Sequence, residues 1–189
     1  MKPMTPVLAL LTILGLTAGA TEAAGPAPTA EVKAAKLGTT RKVHSVGPIW
    51  LASQPAAEDF MRLRTAKIGT VVTLRKRDET NWDEGKVARQ NDMTFHQLGF
   101  NSPDELDDKL FASVRGILRS ADQDHQVLLH CAGSNRVGAV WMAYRVLDQG
   151  VSIEQADREA KQVGLVTPVL RTKALEYIQR QQRSQGADD

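Results

Sequence analysis

The run His130-Cys131-Ala132-Gly133-Ser134-Asn135-Arg136-Val137-Gly138 holds the residues of this 189-residue chain best suited to chemistry. It follows Val127-Leu128-Leu129, which reads as a short buried strand, and it precedes an apolar stretch over residues 137–147 that reads as a helix. A cysteine at a strand end, just before a helix start, meets unpaired N–H groups and the positive end of the helix dipole. Small residues at Ala132, Gly133 and Ser134 let the backbone curl so that several N–H groups point at one anion. Arg136 adds a planar fork suited to bidentate oxyanion binding. Such positive surroundings favour the thiolate, the nucleophilic form. The chemistry expected is attack by Cys131 on an anionic group that the loop itself holds. A buried, inert thiol is the ordinary fate of a free cysteine; the flanking His130 and Arg136 argue against it here.

Positioning such a loop requires a strand-to-helix frame, and the rest of the chain supplies one. Strands are expected over residues 43–53, 71–74, 93–98 and 126–130. Helices are expected over 56–65, 82–90, 137–147, 152–163 and 168–182, with one more starting at Pro103 and running through Leu118, where proline suits the first turn. Strands alternating with helices imply an α/β single domain with a mostly parallel central sheet flanked by helices. Sheets of this kind place ligands beyond the carboxyl ends of their strands, where the charged loop at Arg75–Asp78 and the Cys131 loop both lie.

Residues 1–20 read as a secretory signal peptide: Lys2, an uncharged apolar run over 6–18, then Ala18-Gly19-Ala20 as a small-x-small cleavage site. The apolar run is short for a membrane span, so an exported protein, periplasmic or secreted, with no stable membrane association after cleavage is expected. Residues 21–40 are rich in Ala, Thr, Gly and Pro and read as a flexible lead-in, leaving 41–185 as the domain. With 24 Lys+Arg against 22 Asp+Glu, the charge gives no field that would recruit nucleic acid. One cysteine permits neither an internal disulfide nor a cysteine metal cluster. His44, His96 and His125 lack metal-ligand spacing, so no metal or cofactor is expected.

The His-Cys pair, small-residue loop, Arg and following helix resemble the cysteine-dependent protein tyrosine and dual-specificity phosphatase superfamily. Val71-Val72-Thr73-Leu74-Arg75 resembles a strand and loop common in its dual-specificity members. The short spacing, four residues between Cys131 and Arg136 rather than five, is similar to that of the bacterial beta-lactamase hydrolase-like, phosphatase-like group. The resemblance implies a dual-specificity-phosphatase-like fold and a phosphorylated substrate of unspecified class. It further implies attack by Cys131 on phosphorus, a grip by Arg136 on the equatorial oxygens, and phosphate binding by the amides of Ala132, Gly133, Ser134, Asn135 and Arg136. His130 would orient the loop from behind, Arg75 would support it, and no cofactor would be needed.

The chain departs from the family pattern in two further places. Val137 stands where a Ser or Thr hydroxyl helps expel the thiolate, a role Ser134 could take only with its hydroxyl turned inward. The general acid of the family aligns near Phe100 or Asn101, neither an acid; Asp104 is the nearest downstream carboxylate and Asp78, on the neighbouring loop, is another candidate. Asp104 also reads as a helix-start residue stabilising the dipole. The short loop leaves two other functions open: rhodanese-like sulfur transfer through a Cys131 persulfide, and a catalytically silent module that binds a phosphorylated ligand.

Overall fold

The computed structural model describes Met1 and residues 30–186; the signal-peptide segment lies outside the described residues. Among the described residues six strands form one sheet: β1 (Lys33–Ala34), β2 (His44–Val46), β3 (Ile49–Ala52), β4 (Ile68–Thr73), β5 (Thr94–Gln97) and β6 (Gln126–His130), in the order β1-β2-β3-β6-β4-β5. The β3/β6, β6/β4 and β4/β5 pairs are parallel, and β1/β2 and β2/β3 are antiparallel. The helices are α1 (Phe60–Thr65), α2 (Glu84–Gln90), α3 (Asp108–Arg119), α4 (Asn135–Gln149), α5 (Ile153–Val163) and α6 (Pro168–Gln185).

Alternation along β6 explains the layering. Val127 and Leu129 point into a core shared with residues of α3, α4, α5 and α6, while Leu128 points into a second core with Phe60 and Leu63 of α1 and Ala88 of α2. Successive side chains of a strand face opposite sides, so a strand apolar at every position needs cover on both faces. β4 repeats the pattern, with Val72 in the first core and Val71 in the second.

Three expectations are revised. The strand expected over 43–53 is a hairpin, β2 and β3, turned at Gly47 with φ 56°. The helix expected from Pro103 divides into a 3-10 turn, Pro103–Glu105, and α3, whose start is set by the Asp107 carboxylate accepting from the Leu110 N–H at 2.8 Å; a carboxylate there caps an otherwise unpaired amide. The lead-in is ordered where it is described. β1 pairs with β2, Val32 and Leu37 are buried, and Asp59 accepts hydrogen bonds from the Thr39 N–H, the Thr39 hydroxyl and the Thr40 hydroxyl. The folded domain therefore begins at or before residue 32. Two apolar side chains in the core outweigh an Ala- and Gly-rich composition.

Candidate active site

β6 lies between β3 and β4, with His130 in register with Ala52 on one side and Thr73 on the other. The segments leaving these three strands therefore surround Cys131. The Leu74 N–H donates to the His130 carbonyl at 2.9 Å, and the Cys131 N–H donates to the Ala52 carbonyl at 3.4 Å. The chain then turns through Ser134, whose φ of 68° is left-handed, and enters α4 at Asn135. Arg136 thus sits on the first turn of α4, and Cys131 is 1% exposed.

A cation on the first turn of a helix opposes the dipole and needs an anion. Glu79 provides one. Arg136 donates from Nη1 to Glu79 Oε1 at 2.8 Å and from Nη2 to Oε2 at 2.6 Å, with a third bond from Nη1 to the Phe100 carbonyl at 2.7 Å. These bonds occupy the end of the guanidinium. Both hydrogens of Nη1 and one of Nη2 are engaged, which leaves the flat edge formed by Nε and the outer hydrogen of Nη2. Cys131, at the other end of the same loop, contributes its charge to the surroundings of Arg136. Burial disfavours the guanidinium charge, but the Glu79 bond and the charge of Cys131 outweigh it and raise the Arg136 pKa. On the other partner the Arg136 hydrogen bond, opposed by burial and helped by the Lys76 N–H, holds the Glu79 carboxyl down at about 2. Glu79 is therefore a fixed anion.

Arg75 supports this clamp. It donates from Nη1 to Gln54 Oε1 at 2.8 Å, bonds the Glu79 carbonyl, and lies 3.5 Å from the Glu79 carboxylate. Gln54 passes the chain on to the buried carboxylate of Glu84 at 2.7 Å. Behind the loop the His130 ring is fully buried. Its Nε2 lies 3.0 Å from Glu84 Oε1, close enough for ion pairing but out of line for a hydrogen bond. A continuous polar chain therefore joins the two residues that bracket the loop, His130 and Arg136. Gly99 lets the segment carrying the Phe100 carbonyl approach; a Cβ there would sit 2.4 Å from the Arg75 backbone.

The loop is also held from its outer sides. Lys42 Nζ donates to the Gly133 carbonyl at 3.2 Å. The Ser134 side chain is buried, and its hydroxyl lies 3.3 Å from that of Ser53, at the end of β3. The Asn135 carboxamide meets the corner between α5 and α6.

A cleft of about 390 Å³ opens beside Arg136, with Glu79, Phe100, Asn101, Ser102 and Thr167 among its walls. The family alignment pointed to Phe100 and Asn101, and both line it. Asp104 is placed elsewhere. Its side chain is 92% exposed, it pairs with Lys173 at 3.1 Å, and it lines a separate cleft with Arg180. Asp78 is exposed. The residues sequence reasoning missed are Glu79, Gln54 and Glu84. The signal for Glu79 was available: Arg136 at a helix start calls for an anion, and the loop after Arg75 contains one.

No protein-family model matches the chain, and no curated protein matches it by sequence. Solved structures do match by shape. The P. aeruginosa protein TpbA superposes with a TM-score of 0.63 at 24% identity, over 80% of this chain and 90% of that one. A form of that protein with a cysteine replaced by serine was solved in complex with pTyr. A Shewanella putrefaciens protein of the DUF442 group gives a TM-score of 0.59 at 17% identity, over 76% of this chain and 95% of that one. Kinase associated phosphatase, solved with its catalytic-site cysteine changed to serine, gives 0.63 at 14%, over 70% and 86%. The fold is that of the cysteine-dependent protein tyrosine and dual-specificity phosphatases. The mostly parallel sheet expected from the strand–helix alternation is a mixed one, parallel in three of its five described strand pairs, and with its flanking helices it matches this class.

Proposed function

We propose that the chain is an exported, cysteine-dependent phosphatase that cleaves phosphate monoesters through Cys131 and the Arg136 loop. The observation that carries the reading is the division of the Arg136 guanidinium: its end is fixed by Glu79 and the Phe100 carbonyl, which leaves Nε and one Nη2 hydrogen for a ligand on the loop that starts at Cys131. That free edge can take two oxygens of a phosphoryl group while the thiolate attacks phosphorus. The P–O ester bond breaks as the S–P bond forms, the leaving oxygen departs as an anion that takes its proton from water, and water then hydrolyses the cysteinyl-phosphate to free thiol and phosphate. Likeness in fold to phosphatases favours phosphoryl over sulfur transfer. The charged Lys2, the apolar run and Ala18-Gly19-Ala20 support export, which N-terminal sequencing of the mature protein at Thr21 would establish.

Among the described residues neither Glu79 nor Asp104 is placed to assist the leaving group as an acid. Glu79 is held ionised, and Asp104 faces Lys173 away from the cleft. The reading therefore extends first to aryl phosphates, whose leaving groups depart without a full proton transfer. In the test, wild-type protein hydrolyses an aryl phosphate near neutral pH and Cys131→Ser does not. Equal rates for the two, or no wild-type turnover, would refute it.

A further inference from the structure

The loop of Cys131 to Arg136 is short, and a short loop has few internal bonds to fix the direction of its amides. Its shape must come from what it rests on. One side rests on the corner between α5 and α6, and the joint is the Asn135 side chain. Asn135 Oδ1 accepts from the Val166 N–H at 2.9 Å and the Thr167 N–H at 3.2 Å, while Nδ2 donates to the Thr167 hydroxyl at 2.6 Å. Three bonds from one carboxamide fix its rotation as well as its position. They also satisfy the two backbone amides that lead into α6, those of Val166 and Thr167.

A second contact at the same joint is steric. Gly164 adopts φ 138°, and a Cβ there would lie 3.0 Å from Ser134 Cβ and 3.4 Å from the Gly133 carbonyl. The corner is thus pressed against the left-handed turn that begins the loop's return into α4. Asn135 is also the residue immediately before Arg136. Any rotation of its backbone is passed directly to the guanidinium and to the loop amides. The bonds to Val166 and Thr167 reach across 31 and 32 residues, so they report tertiary packing and not a local turn.

We propose that the Asn135 side chain is a positioning residue, a staple that lets the α5–α6 corner set the geometry of the anion loop. The proposal rests on residues 131–136 being that loop, but its primary test does not depend on turnover. Hydrogen exchange of the segment 131–137 in the ligand-free protein reads loop order directly. Asn135→Ala speeds exchange there at least tenfold. Thr167→Val, which keeps both amide bonds, changes it less than threefold. Asn135→Asp keeps both acceptor bonds, and the Thr167 hydroxyl can turn to donate, so protection is retained.

Kinetics supply the functional arm. With an aryl phosphate as substrate and inorganic phosphate as inhibitor, Asn135→Ala raises KM and the phosphate Ki together at least tenfold. Asn135→Asp recovers both to within about threefold at high salt, where its added charge is screened. A merely structural residue would lower the melting temperature without this shared rise and recovery. Unchanged exchange of 131–137 in Asn135→Ala would overturn the staple. Faster exchange with no wild-type turnover would keep the staple and remove the phosphatase reading.

Discussion

Replacing Glu79 by Gln tests the clamp on Arg136 most directly. Glutamine keeps one acceptor oxygen and the length of the side chain but loses the charge and one of the two bonds. The guanidinium it leaves is only 14% exposed, and an uncompensated, largely buried charge is costly. The size of the effect follows from the titration of Glu79. Its folded value of about 2, against 4.5 in the free side chain, corresponds to on the order of 3 kcal/mol at about 1.4 kcal/mol for each pH unit, an upper bound for a group with partial solvent access. The loss of one charge-assisted hydrogen bond, about 1.5–3 kcal/mol, gives a similar figure. Because the folded value is depressed, this stabilisation is fully present above about pH 4.5 and is lost as pH falls towards 2. Urea unfolding of wild type and Glu79→Gln should therefore differ by about 2–3 kcal/mol at pH 7. The gap should narrow below pH 4.5 and nearly close at pH 2, provided both still fold. On the functional side, kcat for an aryl phosphate should fall at least tenfold, because the fork must be aligned with the developing transition state. A stability gap that stays constant from pH 7 to pH 2.5 would refute the ion pair, and an unchanged kcat would refute its role in orienting Arg136.

Removing residues 30–40 should lower the melting temperature by more than 5 °C, since it strips Val32 and Leu37 from the core and three hydrogen-bond donors from the buried Asp59; a shift below 2 °C would restore the view of this segment as a linker. Asp104→Asn should change kcat less than twofold, and kcat/KM should fall steeply as the pKa of the leaving group rises across a series of aryl phosphates. A shallow dependence that becomes steep in Asp104→Asn would instead identify Asp104 as the proton donor.

The parts of the site that were legible in sequence are those whose residues are close along the chain. The strand Gln126–His130, the loop and α4 form one continuous segment, so residue types and order were enough to place Cys131 and Arg136 on one strand–loop–helix turn. Legibility declined where the fold, not the chain, makes the neighbours. Glu79 and Arg136 are 57 residues apart, and they meet because β4 pairs with β6 in the middle of the sheet. Strand order is set by packing across both sheet faces, which local patterns do not encode. The Ala- and Gly-rich stretch before β2 misled for a related reason. Composition measures average tendency, whereas Val32 and Leu37 are fixed by two particular apolar contacts.

Glu79 also changes what Arg136 signifies. A lone arginine at a helix start reads as a site waiting for an anion, yet here an anion is already bound. If Glu79 filled the whole fork, the residue would be an internal ion pair and the loop would have no use for a ligand. It fills only the end, because the Phe100 carbonyl takes the remaining hydrogen of Nη1 and ties that nitrogen down. The pairing thus spends the charge-neutralising contact on orientation and leaves the Nε edge for chemistry. This is why a carboxylate next to an anion site is compatible with function. It lowers the attraction for a phosphoryl dianion but gives the guanidinium one direction, and transition-state stabilisation depends on direction more than on ground-state affinity. By the same reasoning Glu79→Asp, which shortens the reach while keeping the charge, should depress kcat more than it raises KM. A rise in KM alone, at constant kcat, would show that Glu79 serves charge balance and not alignment.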